Sequence, residues 1–261
     1  MNRDYWLRQE PGKPLFPDLE WSRPQNKQQA GKVCIAGGNL HGFAAPAEAF
    51  AETAKAGVGT ARVLLPDALQ KTVGRMLENG EYAPSTPSGS FSQKALGDLL
   101  ACAAWADGTL IAGDLGRNAE TAILLEKFLA KHQGIVTLTK DAVDYVTAAP
   151  DMAINRERTL LVLSLSQLQR LAIATKHPKA LTFSMDLLHI VEWLHDFTTT
   201  YPLHIIVKHR DHVVVAVDGR ISSTAQKHEQ AIWRVQAASH ASVWWIQYQQ
   251  DAFAALTTSQ A

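Results

Sequence analysis

Short apolar runs alternate with longer stretches of helical periodicity from Gly31 onward. Five apolar runs predict strands: Lys32–Ala36, Thr60–Leu65, Thr109–Ala112, Gly134–Leu138 and Thr159–Leu163. Five amphipathic stretches predict helices: Ala45–Ala56, Asp67–Leu77, Gln93–Ala106, Ala119–His132 and Ser166–Thr175. Asn118 is a suitable N-cap for the fourth helix, because its side chain can accept from first-turn N–H groups. This alternation predicts an α/β fold with a mainly parallel central sheet and helices on both faces.

The pattern changes after about residue 180. The amphipathic segment Leu187–Phe197 predicts a helix, and Leu203–Lys208 with His212–Val217 predict a β-hairpin that ends in the turn Asp218-Gly219. The last forty residues are mostly helical and rich in large apolar side chains, among them Trp233, Trp244, Trp245, Tyr248 and Phe253. Large apolar groups at a domain edge commonly mark an interface. We therefore expect a homo-oligomer that associates through the C-terminal helix.

Two segments lack regular periodicity. Residues 1–30 contain four prolines among aromatic and charged residues, which predicts an irregular N-terminal arm laid over a single domain of residues 31–261. Pro84–Ser92 is rich in proline, serine and glycine, and is the candidate for a mobile lid.

Composition limits the function classes. The chain has 261 residues and zero formal net charge, without a long basic stripe, so nucleic-acid and anionic-membrane partners are not expected. Cys34 and Cys102 lie in apolar stretches and are expected to be buried thiols rather than a disulfide. The polar N-terminus indicates no signal peptide, and no apolar run approaches the roughly 20 residues of a membrane span. A cytoplasmic protein is the expectation.

Ten histidines occur, but no cysteine or paired acid completes a tetrahedral set, so no metal site is expected.

A glycine-rich loop follows the first predicted strand and precedes the first helix. Such a loop brings backbone N–H groups toward an anion, which makes its residues candidates for nucleotide binding: Gly37, Gly38, Asn39, His41 and Gly42. The alternative is a tight turn that needs glycine for its backbone angles. Further candidates follow later strands: Asp114, Gly116, Asp141 and Lys208. Each has a structural alternative, as a turn residue, a helix cap or a solvated lysine.

Taken in order, five segments resemble the ribokinase-like family that contains ADP- or ATP-dependent NAD(P)H-hydrate dehydratase. They are Val33-Cys-Ile-Ala-Gly-Gly38, Ala54-Lys-Ala-Gly-Val-Gly-Thr60, Ala112-Gly-Asp-Leu-Gly-Arg117, Val136–Val143, and Leu203–Lys208 with Asp218-Gly219-Arg220. The resemblance covers roughly residues 27–223. It implies a three-layer ribokinase-like sandwich and, if the family activity survives, ADP or ATP and hydrated NAD(P)H as ligands.

The chain departs from the family pattern at its chemical positions. Asp114 stands where the family has glycine, and Thr139 replaces the first acid of an Asp-Ala-Asp motif. Ser164 and Gln167 stand at a histidine and a glutamate, and His209 takes the glycine of a Lys-Gly pair. These replacements remove groups that the resemblance would place in the site.

The family's Gly-Thr-Gly-Asp loop is also missing, since the segment from Ala225 to Trp233 has no glycine. In the family its N–H groups hold developing phosphate charge and its aspartate transfers protons. We therefore assign no catalytic residue and predict an impaired relative of the dehydratase, retained for nucleotide binding or oligomeric assembly. The alternatives are an active dehydratase and a structural oligomer without ligand.

Overall fold

A ten-stranded, mainly parallel sheet forms the centre of the computed structural model, which describes residues 3–74, 80–225 and 233–261. Its strands are β1 Trp6–Gln9, β2 Lys32–Gly37, β3 Thr60–Pro66, β4 Gly80–Ala83, β5 Gly108–Gly113, β6 Ile135–Thr139, β7 Thr159–Ser164, β8 His204–His209, β9 His212–Val217 and β10 Arg220–Ala225. Their order across the sheet is β1-β10-β9-β8-β7-β6-β5-β2-β3-β4. The seven strands from β8 to β4 run parallel, and β8, β9 and β10 form an antiparallel meander. The predicted α/β class is confirmed.

Helices cover both faces of the sheet. They are α1 Asp18–Trp21, α2 Ala44–Lys55, α3 Gln70–Val73, α4 Leu96–Trp105, α5 Ala119–Lys131, α6 Asp141–Ala148, α7 Leu165–Ala174, α8 Leu187–Thr200, α9 Trp233–Gln247 and α10 Ala252–Thr258. Helices α4 to α8 pack on one face around a core that includes Phe128, Trp193 and Phe197. Helices α2, α9 and α10 pack on the other face with Trp245 and Phe253. Burial of an apolar stripe from each helix against the sheet gives the three-layer sandwich.

The predicted strands and helices from Lys32 to Thr175 agree with the structure to within one or two residues in most cases. Predicted helix Asp67–Leu77 is an exception. A 3₁₀ turn, Asp67–Leu69, precedes the single turn α3, and residues 75–77 lie outside the described part.

The N-terminal arm is not irregular throughout, because β1 pairs in parallel with β10 and extends the sheet. Strand β10 was itself missed, since its sequence Arg-Ile-Ser-Ser-Thr-Ala is largely polar. Its hydroxyls are buried and satisfied inside the protein. Ser223 Oγ accepts from Trp6 Nε1 at 3.0 Å, and Ser222 Oγ lies 2.8 Å from Thr257 Oγ1.

The segment Pro84–Ser92 is anchored to the domain. Its backbone closes on itself, with Thr86 N donating to Ser90 O at 2.8 Å and Ser92 N to Pro84 O at 3.0 Å. Phe91 is buried, and the Asn118 amide donates to Ser88 Oγ at 2.9 Å. These contacts pack the segment against the domain, and its role as a mobile lid stays a prediction.

The aromatic residues of the C-terminal helices pack inside the chain. Trp244, Trp245 and Phe253 are buried, and the Arg23 guanidinium lies 4.3 Å from the centre of the Trp244 ring. Trp233 and Tyr248 are half-buried. Within the described residues, α9 and α10 carry no exposed large apolar side chain, so this support for the predicted oligomer is lost and oligomerisation stays a prediction.

Cys34 and Cys102 are both buried and free, as expected. Within the described residues no helix is long and apolar enough to cross a membrane. In the same part of the chain, no group of three or more His, Cys, Asp or Glu side chains could hold a metal ion.

Candidate functional site

The carboxyl ends of β2, β5 and β6 meet at one edge of the sheet and bring several predicted site residues together. Gly37 ends β2, Gly113 ends β5, and Lys140 follows β6. A Cβ atom at Gly37 would come within 2.6 Å of Gly113 O, so glycine is required for the two strand ends to approach. Asp114 and Lys140 adopt the left-handed backbone region, with φ of 57° and 53°. In open parallel sheets this edge is where ligands bind.

The Asp114 carboxylate accepts hydrogen bonds from a lysine side chain and from a backbone N–H in the first turn of a helix. Its Oδ1 accepts from Lys140 Nζ at 2.7 Å, and its Oδ2 accepts from the backbone N–H of Ala45 at 2.7 Å. Ala45 lies in the first turn of α2, whose N-cap residue Phe43 supplies no side-chain cap. Free N–H groups and the helix dipole favour an anion at such a position. The protein thus fills this position with its own carboxylate.

The predicted glycine loop forms a closed turn. Asn39 N donates to Gly42 O at 2.8 Å, and Gly42 N donates to Asn39 O at 3.0 Å. The Asn39 side chain is engaged on both sides, because its amide donates to Asp114 O at 2.5 Å and its Oδ1 accepts from His41 N at 2.8 Å. Gly38 has φ of 87°, and the His41 side chain is exposed. These features correspond to the tight-turn alternative.

Asp141 lies beside Asp114 at the start of α6. Its Oδ2 accepts from the Gly116 N–H at 3.1 Å, and its Oδ1 is buried without a hydrogen-bond partner among the described residues. Burial raises the pKa of this carboxyl group, and the neighbouring Asp114 charge raises it further.

Ser164 and Gln167 serve a structural purpose at the start of α7. They form a capping box, in which Ser164 Oγ accepts from Gln167 N at 3.3 Å and Gln167 Oε1 accepts from Ser164 N at 3.1 Å. The Gln167 amide also donates to Lys140 O at 2.7 Å and to Asp144 Oδ1 at 2.9 Å. Arg234 Nη1 donates to Gln167 Oε1 at 3.1 Å. The two positions therefore hold neutral side chains that fix loop geometry.

The remaining predicted residues lie apart from this network. Lys208 lies near the end of β8 and pairs in register with Ser164. Strand β8 is three strands away from β5, which at ordinary strand spacing is about 15 Å. Thr139 is buried and donates to Val162 O at 3.1 Å, and His209 is buried at the end of β8. The segment that replaces the glycine-rich acidic loop, residues 226–232, lies outside the described residues.

A cavity of about 380 Å³ adjoins Gly116 and Asp141. It lies between the start of α5 and one side of α6, and sequence reasoning did not identify it. Its further lining residues include Arg117, Tyr145 and Arg170. The helical spacing places four of the lining residues on one side of α6, and this spacing is the only feature of the sequence that points to the cavity. They are Asp141, Asp144, Tyr145 and Ala148. That this side adjoins α5 depends on tertiary packing.

Comparison with solved structures identifies the fold. No protein-family model matches the sequence, and no curated protein matches it significantly. A ribokinase-like superfamily protein from Enterococcus faecalis is similar with a TM-score of 0.74 and 14% identity, over 99% of this chain and 86% of that one. The chain described here has a ribokinase-like fold.

Two enzymes from Bacillus subtilis share this fold. An ADP/ATP-dependent NAD(P)H-hydrate dehydratase, co-crystallized with ATP and Mg²⁺, is similar with a TM-score of 0.60 and 12% identity, over 94% of this chain and 85% of that one. A pyridoxal kinase, solved as an ADP complex, has a TM-score of 0.55 and 9% identity, over 87% of this chain and 88% of that one. At these identities the likeness establishes the fold alone.

Proposed function

We propose that this protein binds an adenine nucleotide at the carboxyl edge of the sheet and does not catalyse dehydration of hydrated NAD(P)H. The observation that carries the proposal is a pair of anion-binding donors at this edge, Lys140 Nζ and the Ala45 N–H at the start of α2. Both donate to the Asp114 carboxylate, which therefore competes with a nucleotide phosphate and weakens its binding. Nucleotide binding is supported by the ATP and ADP bound to the two B. subtilis enzymes of the same fold.

Loss of catalysis is supported by the hydrogen bonds that three polar side chains at this edge make within the protein. Asp114, Gln167 and Asn39 are each committed to internal contacts, so none is available to transfer a proton or to hold developing charge. Removal of an oxyanion-type donor costs on the order of 10²–10³ in rate, and loss of a general acid or base costs about 10²–10⁴. Turnover is therefore expected to lie several orders of magnitude below that of an active dehydratase.

The test uses the native protein in two assays. ADP or ATP at millimolar concentration should raise the melting temperature, because a ligand that binds the native state alone stabilises it. A coupled absorbance assay with hydrated NADH or NADPH should show no turnover with either nucleotide. Turnover at ordinary enzyme rates would establish the alternative of an active dehydratase. Absence of any thermal shift would favour a structural protein without ligand.

Homo-oligomerisation is a second proposal, with a different contact from the one expected. The Trp21 side chain on α1 is 85% exposed. The hydroxyl of the next residue, Ser22, is hydrogen-bonded to that of Tyr248, directly after α9. An exposed tryptophan close to the end of α9 suits a contact with a second copy of the chain.

A further inference from the structure

The cavity between α5 and α6 has a wall of small and aromatic side chains. Ala119 and Ala122 line it from α5, and Tyr145 and Ala148 line it from α6. A volume of about 380 Å³ lies at the lower end of the range for small-molecule sites, so it suits a single ring system rather than a dinucleotide.

The Tyr145 ring is a fixed part of this wall. Its hydroxyl donates to Gly116 O and accepts from the Asn118 N–H at 3.2 Å, so the ring is tied to the loop that precedes α5. A half-buried, immobilised aromatic ring offers a surface against which a planar ligand can pack at little entropic cost.

Three of the four charged groups around the cavity are already engaged. Arg170 Nη2 donates to Asp144 Oδ1 at 2.7 Å, and that oxygen also accepts from the Gln167 amide. Asp141 accepts the Gly116 N–H through Oδ2, while its Oδ1 is buried and would lie 2.9 Å from a Cβ atom on Gly113. The second carboxylate oxygen of Asp141 is therefore turned toward β5.

Arg117 is the exception. Its side chain is exposed at the cavity mouth and has no hydrogen bond or ion pair with any residue in the described ranges. An arginine guanidinium presents a planar set of donors that matches carboxylate and phosphate groups.

We propose that this cavity binds a small aromatic molecule with one anionic group, with its ring against Tyr145 and the alanines and its carboxylate or phosphate on Arg117. The site borders Gly116 and Asp141 but does not depend on the proposed nucleotide function, because the ring and the anion would contact Tyr145, the alanines and Arg117.

Isothermal titration calorimetry with three probes tests the proposal on the full-length protein. Benzoate and phenyl phosphate carry the ring and an anion, whereas benzyl alcohol carries the ring alone. We expect at least one anionic probe to bind about tenfold or more tightly than benzyl alcohol, since the charged hydrogen bond to Arg117 is lost with the neutral probe. Arg117→Gln should weaken the anionic probe about tenfold, whereas Arg158→Gln, which removes an exposed arginine elsewhere, should leave its affinity unchanged.

A second pair of variants tests the position of the ring. Ala148→Trp should fill the cavity from its exposed rim and abolish binding, whereas Ala130→Trp, at an exposed position of α5 outside the cavity, should preserve it. Absence of binding by all three probes would overturn the proposal. Equal affinity for benzyl alcohol, or equal losses in the two arginine variants, would also overturn it. Binding of benzoate with no thermal shift from ADP would separate this site from the nucleotide proposal.

Discussion

His204 on β8 is a buried histidine that the protein keeps neutral. Its ring packs against Trp245, with centroids 5.0 Å apart, and its Nδ1 is buried without a partner among the described residues. Burial lowers its pKa to about 4, only partly opposed by the charge of Asp218. Protonation of this group therefore favours the unfolded chain, in which a histidine has a pKa near 6.5.

The stability of the protein should fall with acid because of this residue. Between about pH 6.5 and pH 4 the unfolded chain binds a proton that the folded chain does not, so the free energy of unfolding decreases as the pH falls. A pKa difference of about 2.5 units corresponds to about 3 kcal/mol at pH 4. Urea unfolding of the native protein and His204→Phe at pH 7 and pH 4 measures this difference.

The variant should lose about 3 kcal/mol less than the native protein over this range. His41→Phe, which alters an exposed histidine, is the matched control and should behave like the native protein. An identical pH dependence for native protein and His204→Phe would contradict the assignment.

Helix starts show how far local sequence determines local structure. Asn118 was predicted as the N-cap of α5, and its Oδ1 accepts from Glu120 N at 2.8 Å. Ser164 and Gln167 fit the capping-box pattern equally well, although the resemblance implies that they replace a histidine and a glutamate. Their spacing in the sequence was sufficient to predict the cap that the structure contains.

Gln167→Ala tests the structural role of this cap. The variant removes the reciprocal bond to Ser164 N and the amide bonds to Lys140 O and Asp144, from a side chain that is buried. We expect a loss of about 1–3 kcal/mol in the free energy of unfolding. Gln133→Ala, at an exposed position after α5, should cost less than about 0.5 kcal/mol. Equal losses in the two variants would contradict the role assigned to Gln167.

Two strands at one end of the sheet, the edge strand β1 and its neighbour β10, were the least predictable from sequence. β1 and β10 carry polar side chains that long-range contacts satisfy: Gln9 Nε2 donates to Thr224 Oγ1 at 3.0 Å and to Thr257 O at 2.8 Å. Periodicity could not reveal these strands, because their burial depends on residues more than 200 positions away. The same limit applies to the cavity, since the sequence does not show that Arg117 and Tyr145 border the same space.

At the scale of the whole molecule, the order of elements predicted the α/β sandwich. The sequence did not predict which of the aromatic side chains are exposed at the surface. The C-terminal tryptophans pack inward, and Trp21 in the N-terminal arm is exposed instead.

Light scattering tests whether Trp21 forms a contact between copies. The native protein should be an oligomer at micromolar concentration, and Trp21→Ser should be a folded species of lower mass. Phe183→Ser, a second exposed aromatic position, serves as the control and should retain the native mass. A monomeric native protein would refute the proposed association.

The central claim is that the Asp114 carboxylate occupies the position where this edge of the sheet would hold an anion. The most direct measurement is the dissociation constant of ADP by isothermal titration calorimetry for the native protein and Asp114→Gly. Asp218→Gly is the matched control, because Asp218 is exposed and also has a positive φ, of 49°, so both variants remove one charge from a left-handed residue. We predict that Asp114→Gly binds ADP about tenfold more tightly, since repulsion of the phosphates is removed and Lys140 is released. Unchanged or weaker ADP binding by Asp114→Gly, or an equal gain in Asp218→Gly, would contradict the claim.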